Sequence, residues 1–129
     1  MAQIKIYGLR KYLDRHRDGL SEAIHSAVVE ALNYPPEKKF HRFFSLEPED
    51  FLFPSDRSPS YTIIEISMFE GRSSETKKAL IRQLFLKINQ TCGIESQDLE
   101  ITIFETPREN WGIRGMPGDE LALNYKVDV

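Results

Sequence analysis

The chain has one cysteine, no block of basic residues and no long apolar run, and each absence argues against a class of protein. A single thiol, Cys92, cannot form a disulfide within the chain. The 17 Lys and Arg residues against 20 Asp and Glu residues give a net charge of −3, which gives little support to nucleic-acid binding. The apolar runs are far shorter than a membrane span, and the amino terminus, MAQIKIYG, lacks the apolar segment of a signal peptide. We therefore expect a cytoplasmic protein with no membrane or nucleic-acid partner.

Metal ligands and phosphate loops are also missing from the sequence. The three histidines, His16, His25 and His41, are scattered and lack the spacing of metal ligands. No glycine-rich phosphate-binding motif occurs. We therefore expect no metal site and no cofactor.

The most regular stretch, residues 61–93, has the pattern of a strand followed by a helix. In the strand segment apolar side chains fall on one face, at Ile64, Ile66 and Met68. Gly71 permits a sharp turn, Ser73 suits the start of a helix and Gly93 suits its end. Between these caps three apolar side chains recur at helical spacing and form one stripe: Leu80, Leu84 and Ile88.

The same pattern occurs about sixty positions earlier, where Leu20, Ile24 and Val28 correspond to the helical stripe. The sequence therefore predicts a single domain over residues 1–129 with two β-α-β units, at about 2–46 and 61–105. Residues 47–60 are the linker between the units, and residues 106–129 are a C-terminal segment. Two β-α-β units can also look alike without a true duplication, so that alternative stays open.

The first unit is predicted to begin with a strand over residues 3–9. Its helix is expected to start at Asp14 or Asp18 and to end near Asn33. Further strands are predicted at 40–46 and 99–104.

The C-terminal segment contains an alternation of Leu121, Leu123 and Tyr125, which predicts a short additional strand. The fold class is then α+β, a duplicated β-α-β with a four-stranded mixed sheet and two helices on one face. The opposite face of the sheet would be bare in a monomer, which predicts an oligomer.

Arg72 lies between the central strand and helix, beside backbone N–H groups that have no helical partner. This position suits a carboxylate or a phosphate. The alternative is a solvated arginine that pairs with Glu70 or Glu75. Trp111 and Ile113, which lie among glycine turns, can either wall a pocket or pack in the core.

Four stretches together resemble the tautomerase superfamily, which has the MIF-like fold. They are the amino-terminal strand, the turn YPPEKKF, the strand–turn–helix around Arg72, and ENWGIRGMP near the end. The similarity is greatest to the long-chain tautomerases of the malonate semialdehyde decarboxylase-like group. The resemblance implies a duplicated β-α-β fold assembled as a homotrimer, with a site near each amino terminus.

The resemblance also implies site residues, and at several of them this chain departs from the family. The catalytic amino-terminal proline is replaced by Ala2, so the amine exposed by removal of Met1 would be primary. Arg72 matches the family's arginine after the third strand. A second arginine of the decarboxylase is replaced by Glu70, and its acidic residue after the first helix falls at or near Lys38.

The resulting hypothesis is a tautomerase or isomerase-type enzyme, or a derivative of one, that acts on a small 2-oxo or enol carboxylic acid. Ala2 and Arg72 are the expected catalytic residues, and Lys38, Glu70, Trp111 and Ile113 are expected to contact the substrate. One alternative is a catalytically silent member of this fold that binds a small acid or a protein. Another is a ferredoxin-like α/β-barrel monooxygenase.

Overall fold

The sheet of the computed structural model, which describes residues 2–129, combines parallel and antiparallel strand pairs. Its strands are β1 (Ala2–Leu9), β2 (His41–Leu46), β3 (Thr62–Phe69) and β4 (Leu99–Thr106). They lie in the order β2-β1-β3-β4. The β1–β2 and β3–β4 pairs are parallel, and the central β1–β3 pair is antiparallel. The predicted α+β class with a four-stranded mixed sheet is confirmed.

Two helices, α1 (Arg10–Leu32) and α2 (Ser74–Cys92), cover one face of this sheet. The alternating strand residues Ile64, Ile66 and Met68 are fully buried against them. The predicted stripe of α2 is buried as well, at Leu80, Leu84 and Ile88. Both periodicities therefore place apolar side chains between sheet and helices, where truncation of one of them to Ala costs about 2–5 kcal/mol.

Helix α1 begins earlier than predicted, at Arg10, and neither Asp14 nor Asp18 caps it. Leu9 is both the last residue of β1 and the N-cap, and its side chain makes no cap hydrogen bond. The first turn is fixed by packing, because Leu13 is buried and lies directly against Gly8. The C-caps are as predicted: Asn33 and Gly93 both adopt the left-handed conformation.

The C-terminal strand predicted across Leu121, Leu123 and Tyr125 is wrong, since that part of the chain has no strand pairing. A hairpin instead precedes it, formed by β5 (Gly112–Ile113) and β6 (Met116–Pro117). Residues 121–127 still alternate between half-buried and exposed. The alternation in the sequence therefore corresponds to side-chain packing, although this segment forms no hydrogen-bonded strand pair.

The sheet face away from the helices retains exposed aromatic side chains. Phe44 is 38% exposed and stacks on Tyr7, and Phe104 is 47% exposed. These two aromatic side chains make part of this sheet face apolar. Neither described helix has an apolar stretch long enough to cross a bilayer.

Candidate active site

Arg72 is a buried cation at the junction of β3 and α2. It is only 5% exposed, and Gly71, with φ of 129°, forms the turn that directs the chain there. Its Nη1 donates a hydrogen bond of 3.3 Å to the carbonyl oxygen of Phe69. Its Nε and Nη2 have no hydrogen-bond partner among residues 2–129. Two buried N–H donors of one guanidinium are thus available to an anion.

Loss of hydration on burial is the largest influence on the pKa of the Arg72 guanidinium, and it lowers that pKa below its ordinary value. Tyr125, Tyr34 and Glu105 oppose this shift and raise the pKa again. A carboxylate beside Arg72 would stabilise the charged form in the same way and more strongly.

Ala2 lies at the start of β1, opposite Met68 of β3, and is 2% exposed. Its backbone nitrogen donates a hydrogen bond of 3.1 Å to the hydroxyl of Tyr34. Tyr34 directly follows the C-cap of α1, and its own N–H donates to the carbonyl of Val29. The end of α1 therefore places the buried hydroxyl of Tyr34 against the first residue of β1.

Tyr125 connects this end of the site to Arg72. Its ring lies edge-on to that of Tyr34, with centroids 5.0 Å apart. A hydrogen bond to Tyr34 and the charge of Arg72 both act on the pKa of Tyr125, although burial still raises it overall. Burial likewise raises the pKa of Tyr34, so that phenol stays protonated at neutral pH. Ala2, Tyr34, Tyr125 and Arg72 thus form one connected polar cluster, which we call the tyrosine cluster.

Sequence reasoning did not select Tyr34 or Tyr125 as site residues. Tyr34 is the first residue of the YPPEKKF turn, where the two prolines indicate only a break in the helix. Tyr125 belongs to the alternation that predicts a strand. Two features of the sequence could have indicated these residues. Tyr34 is a polar aromatic residue at a helix end, and Tyr125 is another in an otherwise irregular segment.

A cleft of about 460 Å³ opens beside the cluster, lined by Glu70, Gly71, Arg108, Leu123, Tyr125, Lys126, Val127 and Asp128. The C-terminal segment is held over Gly71 and the start of α2. The carbonyl oxygen of Val129 accepts hydrogen bonds from the backbone N–H of Ser73 and the hydroxyl of Thr76. The C-terminal segment therefore forms one side of this cleft.

Arg108 anchors the same segment from the other side. Its Nε and Nη2 donate to the carbonyl of Gly118 at 3.0 and 2.9 Å, and Nη2 also donates to that of Leu121 at 2.9 Å. Its guanidinium lies 5.5 Å from the ring centroid of Phe69. This second arginine is thus engaged in holding the fold.

Of the other four residues expected from the sequence, one lines the cleft and three do not. Glu70 is exposed and lines the cleft. Lys38 is half-buried in the turn after Tyr34, and its side chain forms no hydrogen bond or ion pair within the described chain. Trp111 packs edge-on against Phe69 and donates from Nε1 to the hydroxyl of Thr106 at 2.7 Å. Ile113 belongs to the β5–β6 hairpin.

Residues 2–129 contain no group of three or more His, Cys, Asp or Glu side chains that could hold a metal ion. The polar groups gathered here are two tyrosine hydroxyls, a main-chain nitrogen and a guanidinium. That set can bind an anion and, where the nitrogen is a free amine, exchange a proton.

Comparison with known proteins identifies the family. The pattern of the family described as "Tautomerase enzyme" matches residues 38–114, more than half of the chain. The 2-hydroxymuconate tautomerase of Comamonas testosteroni is 40% identical over 58 residues, 45% of this chain and 92% of its own length. The probable tautomerase YusQ of Bacillus subtilis (strain 168) is 26% identical over 97 residues, 71% of this chain and 76% of its own.

Solved structures of the same fold are similar over nearly the whole chain. FG41 malonate semialdehyde decarboxylase, inhibited by 3-bromopropiolate, superposes with a TM-score of 0.81 at 25% identity, over 94% of this chain and 98% of its own. Native fused 4-OT superposes with a TM-score of 0.80 at 22% identity, over 92% and 98%. The matched sequence pattern and the shared fold together show that this chain belongs to the tautomerase superfamily.

Proposed function

We propose that this protein is a tautomerase-type enzyme that acts on a small 2-oxo or enol carboxylic acid. The observation that carries the proposal is Arg72, a buried guanidinium with two unpartnered N–H donors, in the same polar cluster as the nitrogen of Ala2. A substrate carboxylate would pair with Arg72. Membership of the tautomerase family supports this proposal over the alternative of an α/β-barrel monooxygenase.

The proposed base is the amine of Ala2, which removal of Met1 would expose. An α-amine has an ordinary pKa of about 7.7–8.0, and the nearby positive charge of Arg72 favours its neutral form. The neutral amine would take the proton from the enol oxygen as the C=O bond forms, and would give it to the far carbon of the former C=C bond, which leaves the amine unchanged. Binding of the carboxylate at Arg72 would hold the substrate in place for both transfers.

The other assigned residues have secondary roles in this proposal. Glu70, at the edge of the cleft, would disfavour a second carboxylate on the substrate. Lys38, in the turn after Tyr34, would add positive charge that favours a bound carboxylate. Trp111 and Ile113 would shape the region around Phe69 and the hairpin behind the cleft.

A homotrimer is the proposed assembly, and a cytoplasmic location remains a prediction. The exposed aromatic side chains of the bare sheet face support association. One fused 4-OT of the same fold is a symmetric trimer.

The test uses protein whose amino terminus is shown by mass spectrometry to be Ala2. Ketonisation of phenylenolpyruvate, followed by its ultraviolet absorbance, should be enzyme-dependent. Arg72→Ala should lower kcat/KM by about 10- to 100-fold, since a sheltered charge-assisted contact is worth about 1.5–3 kcal/mol. Arg82→Ala, which removes an exposed arginine of α2, is the control and should behave as wild type.

A catalytically silent binding protein is the second candidate, and Ala2 in place of the family's proline is the observation in its favour. In that case the Ala2-terminated protein would bind a small carboxylate through Arg72 but would not turn over the enol. Equal activity of wild type and Arg72→Ala would instead remove Arg72 from the site.

A further inference from the structure

The hydroxyl of Tyr34 is placed on the nitrogen of Ala2 by several independent restraints. The residue is 3% exposed and follows the left-handed C-cap Asn33, with its N–H bound to the carbonyl of Val29. Pro35 and Pro36 stiffen the chain immediately after it. Its ring is held edge-on by Tyr125. This hydroxyl therefore has little freedom to leave its partner 3.1 Å away.

A primary amine at residue 2 has an orientation problem that a proline does not have. A pyrrolidine ring fixes the nitrogen relative to the main chain, whereas the amino group of an alanine rotates about its N–Cα bond. A base is effective only when its lone pair is aimed at the proton that it removes. An acceptor that holds one N–H of the amine also fixes the direction of the lone pair.

We propose that Tyr34 is a positioning residue, whose hydroxyl accepts a hydrogen bond from the amine of Ala2 and so directs its lone pair in place of the missing proline ring. The inference rests on the proposed function of Ala2 as the base. It adds a residue that lies outside residues 38–114, the part of this chain that the family pattern matches.

The first experiment is a double-mutant cycle that combines Tyr34→Phe with Ala2→Pro, on protein from which Met1 has been removed. Tyr34→Phe keeps the ring against Tyr125 and removes only the hydroxyl. It should lower kcat/KM by about five- to tenfold in the alanine background, the value of one hydrogen bond of about 1–1.4 kcal/mol. In the Ala2→Pro background, where the ring fixes the nitrogen, the same change should cost at least about threefold less. The hydrogen bond between the Tyr34 hydroxyl and Tyr125 is lost in both backgrounds, so the difference reports only the bond to Ala2. Tyr12→Phe, in a separate cleft with Leu9 and Arg10, is the matched control and should have no effect.

The second experiment measures protonation and does not depend on turnover. An ammonium group donates a stronger hydrogen bond to Tyr34 than a neutral amine does, so the hydroxyl favours the protonated form. Tyr34→Phe should therefore lower the pKa of the ¹⁵N-labelled amine of Ala2, followed by NMR, by about half a unit or more. The acid limb of the kcat/KM profile should move to lower pH by the same amount.

The outcomes separate this inference from the proposed function. Equal losses from Tyr34→Phe in both backgrounds, or an unchanged amine pKa, would overturn the positioning role and leave Tyr34 as a packing residue. An inactive Ala2-terminated wild type would refute the proposed enzyme, while the amine pKa would still decide whether Tyr34 holds the nitrogen. Native protein that retains Met1 would overturn both for the cellular form, because the nitrogen of residue 2 would be an amide.

Discussion

Replacement of Arg72 by Met should stabilise the fold and remove its anion site at the same time. Arg72 is buried with two unpartnered N–H donors, and each such donor costs about 1–3 kcal/mol. The variant loses one long hydrogen bond to the Phe69 carbonyl and the contact with Tyr125, together worth about 1–2 kcal/mol. Met is of similar length and carries no polar group. From the middle of these ranges, the free energy of unfolding should rise by about 2–3 kcal/mol in the absence of ligand.

Thermal unfolding at one fixed protein concentration measures this gain. For a domain of this size, 1 kcal/mol corresponds to about 4 °C in Tm. Added pyruvate should raise the Tm of the wild type, because a ligand that binds only the folded state stabilises it by about 2.7 kcal/mol at a hundredfold excess over Kd. The Tm of Arg72→Met should not respond to pyruvate.

Arg108→Met is the matched control, since this arginine donates three hydrogen bonds to the carbonyls of Gly118 and Leu121. Its replacement should destabilise the protein by about 2–4 kcal/mol, because those carbonyls lose a charged partner. The two substitutions thus have opposite expected signs. An Arg72→Met variant that is less stable than wild type by about 1 kcal/mol or more would refute the reasoning, and would show that Arg72 is paired in the assembled protein.

Three further predictions concern pH, assembly and substrate charge. Burial is the largest of the effects that lower the pKa of His41, which falls to about 4. The imidazole therefore binds a proton more readily in the unfolded chain than in the folded one. The free energy of unfolding should fall as the pH is lowered from about 6.5 towards 4. Between pH 7 and 5, urea denaturation of the wild type should show a loss about 2 kcal/mol larger than that of His41→Gln, and equal losses would count against this burial. Phe104→Glu should dissociate the oligomer, as a fall in the molar mass measured by light scattering. Leu86→Glu, on α2, should leave the mass unchanged. A wild type that is monomeric at micromolar concentration would rule out the trimer. Glu70→Gln should improve competition by dicarboxylic acids over monocarboxylic acids, and unchanged selectivity would remove Glu70 from the cleft's electrostatics.

The elements of the fold could be predicted because they depend on interactions that are local in sequence. Alternation at Ile64, Ile66 and Met68 specified one buried face of a strand, since successive side chains of a strand point to opposite sides. Ser73 and Gly93 marked the ends of α2 because their own chemistry suits an N-cap and a left-handed residue. Arg72 could also be singled out, as a cation at a strand–helix junction.

Interactions between distant residues could not be read from the sequence. The start of α1 was misplaced because packing of Leu13 against Gly8 replaces a polar cap. The last nine residues have the alternation of a strand, yet the described chain gives them no ladder partner, and they fold over the start of α2.

The tyrosine cluster shows most clearly the difference between what local sequence predicts and what contacts between distant residues decide. Its hydrogen bond between Ala2 and Tyr34 joins residues 32 positions apart, and Tyr125 and Arg72 come from two other parts of the chain. The sequence by itself determined which residue types were present and how each segment would be shaped. Only the tertiary structure decided which side chains meet, because the sheet order and the path of the C-terminal segment bring these four residues together. Their packing buries Arg72 and leaves its Nε and Nη2 without a hydrogen-bond partner in the described chain.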